Sequence, residues 1–219
     1  MSEIKVNKIS PATGTAITLG DSGDTLTVPS GGTIVNSGTA TGFGGGSWKF
    51  IKSQTASGVS SVDFINGTSD VVFDNTYIAY ELWGFQCTSD DNDRCVEIRI
   101  TDDGGTTWHT SGYGNQGVKI RAGSITAQNR DTFWFQFDAT GDQTGENINF
   151  RMTFYNPAGT GKYVMGTYEA ACMAHIPSDD YQGGMTSFET ATAINGVRIL
   201  ANIGNFSCDS LKLYGLLGS

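Results

Sequence analysis

Apolar side chains recur at every second position along most of the chain after residue 47, and this spacing constrains the fold more than any other feature. Ile148, Phe150, Met152 and Phe154 share one face of an extended segment, with Asn149, Arg151 and Thr153 on the other. Val96, Ile98 and Ile100 alternate in the same way with Glu97 and Arg99. The pattern extends to Ser47–Ile51, Val71–Phe73, Tyr77–Phe85, Phe133–Phe137, Tyr163–Ala170, Val197–Leu200 and Leu211–Tyr214. No stretch of ten or more residues reads as an amphipathic helix. The 30 glycines supply turns, and the 12 Phe, 8 Tyr and 4 Trp supply much of the apolar surface a core needs. About eight to ten short strands fit two packed antiparallel sheets, each wet on one face. The expected class is all-β, with a jelly-roll-like β-sandwich ahead of other sandwiches.

Residues 1–46 obey different physics. They contain one aromatic residue, Phe43. Three short β-like pieces, Ala16–Leu19, Thr25–Val28 and Thr33–Asn36, are separated by the turn sequences Gly20–Gly23 and Pro29–Gly32. Each piece has one or two large apolar side chains, too few for one copy to offset the cost of ordering the chain. The segment is either a flexible linker or a stem in which several chains share one core. Periodic β-branched residues favour the stem, and a trimer with Ile17, Leu19, Leu26, Val28 and Ile34 along its axis is the natural version. The run Gly42–Gly46 suits a hinge, so the expected domains are a stem over 1–46 and a sandwich over 47–219.

The formal net charge of -9 disfavours a nucleic-acid partner, because Lys and Arg are scattered singly and no basic patch offsets the repulsion of phosphate. No run of 18 apolar residues predicts a transmembrane helix, so no membrane insertion is expected. MSEIKVNKIS lacks the apolar centre of a signal peptide, which predicts synthesis in the cytoplasm. Of the four cysteines, Cys87 and Cys95 flank a short loop and are candidates for a bridge, whereas the predicted compartment favours thiols.

Few residues point to chemistry. His109 and His175 stand apart without metal-ligand spacing. Asp138, Asp142 and Glu146 lie close in sequence, but a solvated turn explains them as well as a hydrolytic carboxylate pair. Asp90–Asp93 and Asp102–Asp103 are acidic turns that lack the complete calcium-loop pattern. No cofactor, metal or catalytic group is expected. Thr101–Trp108, TDDGGTTW, resembles the Asp-box S/T-x-D-x-G-x-T-W of sialidase-like propellers and other β proteins. There it is a structural hairpin, which assigns Asp103, Gly105 and Trp108 a structural role; one copy in so short a domain argues against a propeller. The better functional clue is a pair of aromatic residues in polar, glycine-rich segments expected to be loops. Tyr113 with Asn115, and Tyr181 with Gln182, combine a flat apolar ring with hydrogen-bonding groups, which suits a saccharide. Ordinary packing of a loop tyrosine explains them equally well.

Two segments carry a resemblance to a family. Lys5–Ile9 followed by TGTAITLGDSGDTLTVPSGGTIVNSGTATGFG resembles the repetitive stem behind the virion-attachment end of tail-fibre and related receptor-binding proteins of tailed bacteriophages. Ile194–Ile199, Gly204–Phe206 and Leu211–Gly215 are similar to the closing strands of their jelly-roll heads. The resemblance implies a non-enzymatic homotrimer on the virion, on the tail or the capsid surface. Its N-terminus would contact other virion structural proteins, and its head would recognise a host cell-surface glycan or protein. No receptor residue carries over, because such loops diverge. The chain is short for a complete tail fibre, which leaves a fibre tip, an adaptor-bound fibre or a capsid fibre. The competing expectations are a purely structural capsid or tail decoration protein and a glycan depolymerase.

Overall fold

The computed structural model describes residues 9–25, 27–33, 47–92, 94–128, 135–140, 143–175 and 178–218, with the backbone alone at 136, 138–140, 174, 175 and 178. The chain divides into two units, Met1–Gly44 and Gly45–Ser219. In the first, both expected turns form: the Asp24 N–H donates to Asp21 O at 3.0 Å, and the Gly32 N–H to Pro29 O at 2.9 Å. No strand forms among its described residues, and Ile17, Leu19 and Val28 are exposed. The β piece expected at 16–19 therefore does not form within one chain, and Thr25, Thr27 and Val28 are in no strand. Leu26, Ile34 and Val35 lie outside the described residues.

The second unit is all-β. Its strands are β1 (Trp48–Val59), β2 (Ser61–Ile65), β3 (Tyr77–Ser89), β4 (Arg94–Thr101), β5 (Tyr113–Arg121), β6 (Ser124–Gln128), β7 (Phe135–Thr140), β8 (Asn147–Tyr155), β9 (Val164–His175), β10 (Ser178–Phe188), β11 (Gly196–Ala201) and β12 (Phe206–Leu217). They form an eight-stranded sheet in the order β1-β12-β3-β8-β9-β10-β5-β6 and a four-stranded sheet in the order β2-β11-β4-β7.

Eight of these strands nest as one long antiparallel ribbon. β1 pairs with β12, β2 with β11, β3 with β8, and β4 with β7. The ribbon is wrapped so that β12 also pairs with β3, and β11 with β4. This nesting is the jelly roll. Two hairpins interrupt it. β5–β6 lies between β4 and β7, and β9–β10 between β8 and β11. Both extend the large sheet beyond β8, so its outer face is much wider than four strands.

The alternating side chains explain the wrap. Tyr80, Leu82, Phe150, Met152, Phe154, Leu211 and Leu213 of the large sheet meet Phe64, Ile98, Ile100, Phe135, Phe137, Val197 and Ile199 of the small one in a single buried cluster. Phe137 stacks on Phe150 with ring centroids 4.5 Å apart. Each such side chain contributes about 1.5–3 kcal/mol by leaving water, so the ribbon closes with its apolar edges inward. Val71–Phe73, expected as a strand, is instead a connecting loop. Val71 and Phe73 still plug the core, while the Phe73 N–H is taken by Asn66 Oδ1 at 2.8 Å and the Val71 carbonyl by the Gly67 N–H at 2.9 Å. Phe133 and Trp134 lie outside the described residues.

β3 contains a bulge that changes which residues face inward. Tyr80, Leu82 and Gly84 point into the core, then Cys87 and Ser89 do. The register against β8 shifts between Gly84 and Cys87, and Gln86 takes a φ of 51°. Its N–H donates to Asn149 Oδ1 at 3.0 Å. Gly84 is required for space, since a Cβ there would lie 2.1 Å from Phe150 Cε1. Past the bulge, Cys87 faces Cys208 on β12 and the two form a disulfide with Cα atoms 4.0 Å apart. This corrects both expectations for the cysteines: Cys87 is bridged, and its partner is not Cys95. β3 and β4 diverge into different sheets, whereas β3 and β12 are neighbours. Gly84→Ala should destabilise the domain by about 1–3 kcal/mol through overpacking against Phe150, measured as a lower urea midpoint. An unchanged midpoint would mean that Phe150 moves aside freely.

Candidate functional site

The two segments expected to be loops are strands. Tyr113 opens β5 and Tyr181 lies in β10, and these strands pair side by side, Tyr113 opposite Phe188 and Tyr181 opposite Ile120. Alternation then sends the four residues apart. Tyr113 is 3% exposed, Asn115 2% and Gln182 0%, while Tyr181 is 46% exposed. Tyr113, Asn115 and Gln182 are therefore not available to a saccharide. The Tyr113 hydroxyl donates to His109 O at 3.0 Å and accepts from the Ile100 N–H at 3.3 Å, which ties β5 to the end of β4. Burial pushes its phenol well above the ordinary range. Asn115 Oδ1 accepts from the Tyr168 hydroxyl at 3.1 Å, and Gln182 Nε2 donates to Cys172 Sγ at 3.6 Å. These polar residues serve the interior of the widened sheet.

Tyr181 has other partners on the outer face. The register aligns Trp83, Arg151, Glu169 and Gly183 in one row across β3, β8, β9 and β10. Asn149, Ala171 and Tyr181 form the next row. Trp83, Phe85, Asn149, Arg151, Ala171 and Tyr181 enclose a hollow of about 220 Å³. Trp83 and Phe85 stand two residues apart on one face, with planes 11° apart and centroids separated by 5.8 Å. They form one wall and Tyr181 the other, three strand spacings or roughly 14 Å away. Ala171, being small, leaves the floor open. Tyr181 leans over Gly183, where a Cβ would come within 2.6 Å of its hydroxyl.

The Trp83–Phe85 wall is held in place before any ligand arrives. The Trp83 indole N–H donates to Glu81 Oε2 at 2.9 Å, and the Arg151 guanidinium lies 5.4 Å from the Trp83 ring centroid. Arg151 in turn pairs with Glu169 at 2.8 Å and Glu81 at 3.6 Å. Lys212 sits 5.6 Å from the Phe85 ring. Such fixed plates lose little freedom on binding. The side chains of Asn149, Arg151 and Glu169 supply donors and acceptors along the rim. Flat apolar faces bordered by hydrogen-bonding groups match a sugar ring, which has apolar faces and a rim of hydroxyls.

The chain matches no family model, no curated protein and no solved structure.

The Asp-box segment is held by its own hydrogen bonds. Asp103 Oδ1 accepts from the Thr101 hydroxyl at 2.7 Å and the Thr107 N–H at 2.9 Å. Gly105, with φ 85°, leaves no room for a Cβ beside Ile65, and Arg198 lies 4.3 Å from the Trp108 ring centroid. The segment is not a hairpin between paired strands, as the Asp-box resemblance implied, because β4 and β5 enter different sheets. It is a corner, closed by the His109 N–H donating to Ile100 O at 3.0 Å. His109 Nε2 lies 3.0 Å from Asp102 Oδ1. Asp91 pairs with Arg94 at 3.8 Å, and Glu146 Oε2 accepts from the Gln143 N–H at 3.3 Å. Among the described residues, no three His, Cys, Asp or Glu side chains gather into a metal site. Asp93, Asp142 and the side chains of Asp138 and His175 lie outside the described residues.

Hydrogen bonds from the Thr107 N–H, and then from Thr101, hold the Asp103 carboxyl down at about 2, against 3.8 ordinarily. The folded value is the lower one. Its stabilisation of the corner is complete above the ordinary value and is lost as pH falls through 2. An NMR titration should find Asp103 titrating near 2, and Thr101→Val should raise that midpoint. Tyr113→Phe should cost about 1–3 kcal/mol by leaving the buried Ile100 N–H without its acceptor, seen as a lower thermal midpoint.

Proposed function

We propose that this chain is a non-catalytic recognition protein, with a jelly-roll head that binds glycan in the outer-face hollow between Trp83–Phe85 and Tyr181. The observation that carries the reading is the fixed Trp83–Phe85 wall facing Tyr181 across a hollow opened at Ala171, with hydrogen-bonding side chains between them. The carboxylates beside the hollow, Glu81 and Glu169, both pair with the single guanidinium of Arg151. A hydrolytic pair would instead flank the scissile bond with one acid free to deliver its proton, so recognition fits this site better than hydrolysis does.

The surrounding biology follows from the resemblance of both chain ends to bacteriophage fibre proteins. In this proposal the chain is a virion fibre, joined to other particle proteins through its N-terminal region and presenting the head to a host surface glycan. The exposed Ile17, Leu19 and Val28 of the first unit fit a stem whose core is shared by three chains.

Two experiments test these halves separately. On a glycan array, the full-length protein should bind a defined set of saccharides. Trp83→Ala and Tyr181→Ala should each weaken that binding about tenfold or more, as expected for aromatic anchors, with the thermal midpoint little changed. Unaltered binding by both variants would move the site elsewhere. For the stem, Ile17→Asp combined with Leu26→Asp should place unpaired charges in a shared core and reduce the trimer to monomers in analytical ultracentrifugation. A trimer mass that persists would rule out the shared core.

A further inference from the structure

Three hollows on the outer face of the large sheet share walls. Trp48, Glu81 and Tyr214 join Trp83 and Phe85 around one of about 330 Å³. The Trp83–Phe85 wall separates it from the 220 Å³ hollow described above. Tyr181, Asn149 and Ala171 then border a third, of about 570 Å³, which reaches Ile120 on β5 and Asn147 on β8. The sheet order places β1 at one end of this series and β5 six strands away. At the usual strand spacing the trough is roughly 29 Å long and runs across the strands. Aromatic residues recur along it, with Trp48 and Tyr214 at one end, Trp83 and Phe85 next, and Tyr181 beyond.

Its charge is net acidic. Glu81, Glu169 and Asp179 line it against Arg151 and against Lys212, which sits 5.6 Å from the Phe85 ring, while the Asp180 side chain is buried. Arg151 is already engaged by Glu81 and Glu169, and Asp180 by Arg121, whose Nε donates to its Oδ1 at 2.6 Å. With a net charge of -9 on the chain, the trough repels polyanions.

Resting on the saccharide reading above, we infer that the ligand is an uncharged glycan chain bound through several consecutive sugar units, not a terminal sugar. A single terminal residue in the central hollow would leave Trp48, Tyr214 and the 570 Å³ space beyond Tyr181 without a partner. A chain crossing the strands meets all three. Each added ring that reaches another aromatic wall adds stacking contact, so affinity rises with length until the trough is filled. Carboxylated or sulfated chains of the same length gain the same contacts and lose to repulsion.

The test is calorimetric titration of the full-length protein with neutral glucose, mannose, galactose and N-acetylglucosamine oligomers, from monosaccharide to octasaccharide, with hyaluronate and heparin oligomers as polyanionic controls. Affinity for one neutral series should rise about tenfold or more with length and then level off, while the polyanions bind more weakly. Trp48→Ala with Tyr214→Ala should lower affinity for the long oligomers about tenfold and leave the disaccharide unchanged, whereas Tyr181→Ala should weaken both. Equal affinity at all lengths, tighter binding of the polyanions, or no effect of the Trp48 and Tyr214 changes on long oligomers would each overturn the extended-chain inference and leave saccharide recognition standing. Failure to bind any oligomer would overturn both. So would self-association of the full-length protein that the Trp83→Ala change abolishes, because a second copy would then occupy the trough.

Discussion

β3 sits between β12 and β8 in the middle of the jelly-roll part of the large sheet, and most of the head depends on how it is held there. Its inward residues, Tyr80 and Leu82, anchor the core. Its outward residues, Trp83 and Phe85, build a wall of the trough. The bulge between Gly84 and Cys87 reconciles these duties. Strict alternation from Leu82 would send Cys87 outward, away from Cys208. One extra residue resets the parity, so Phe85 stays beside Trp83 and Cys87 turns inward to its partner. The positive φ falls on Gln86, and its side of the ladder is repaired by Asn149 from the neighbouring strand. Asn149 also lines the trough, so the group that stabilises the irregular backbone belongs to the recognition surface.

The jelly-roll ribbon supplies cohesion, and the two inserted hairpins supply breadth. Four strands of the large sheet close over the four-stranded sheet, where Phe, Ile, Leu and Val side chains interlock. β9, β10, β5 and β6 continue the same sheet with a more polar interior, built on Tyr168, Asn115, Gln182 and Thr186. Each hairpin adds backbone hydrogen bonds to an existing edge. The result is an outer face on which aromatic groups from β1, β3, β10 and β12 share one surface. The corner around Asp103 then fixes where the chain leaves the small sheet for the large one.

Much of the architecture was legible from alternation. The segments at Val96–Ile100, Ile148–Phe154, Val197–Leu200 and Leu211–Tyr214 form strands, with Val96, Ile98, Ile100, Ile148, Phe150, Met152 and Phe154 inward as expected, although Glu97 is buried too. Alternation does not track burial everywhere. β5 and β10 carry glycine and polar residues on both faces, so Tyr113 and Tyr181 looked like loop residues. The burial of Asn115 and Gln182 depends on packing beyond the reach of local pattern. Val71 and Phe73 are apolar at alternate positions because a loop needs two plugs, not because it pairs. At the candidate site only Tyr181 was visible in advance. Trp83, Phe85, Asn149, Arg151 and Glu169 are distant in sequence and meet through register. A usable signal was present in Trp83 and Phe85, two aromatic residues on what the alternation of Tyr80 and Leu82 marks as the wet face of a strand.

The placement of the inserted hairpins divides the trough by origin. Its Trp83–Phe85 wall belongs to the ribbon, on a strand whose bulge and inward residues are fixed by the core behind it. Its Tyr181 wall and its Ile120 end belong to hairpins that enter and leave the ribbon between strands already paired to other partners. Substitutions at their outward positions do not touch the nested pairing. Only the outward positions of these hairpins are spared by the core, so variation there can retune which glycan is held while the mode of holding it persists.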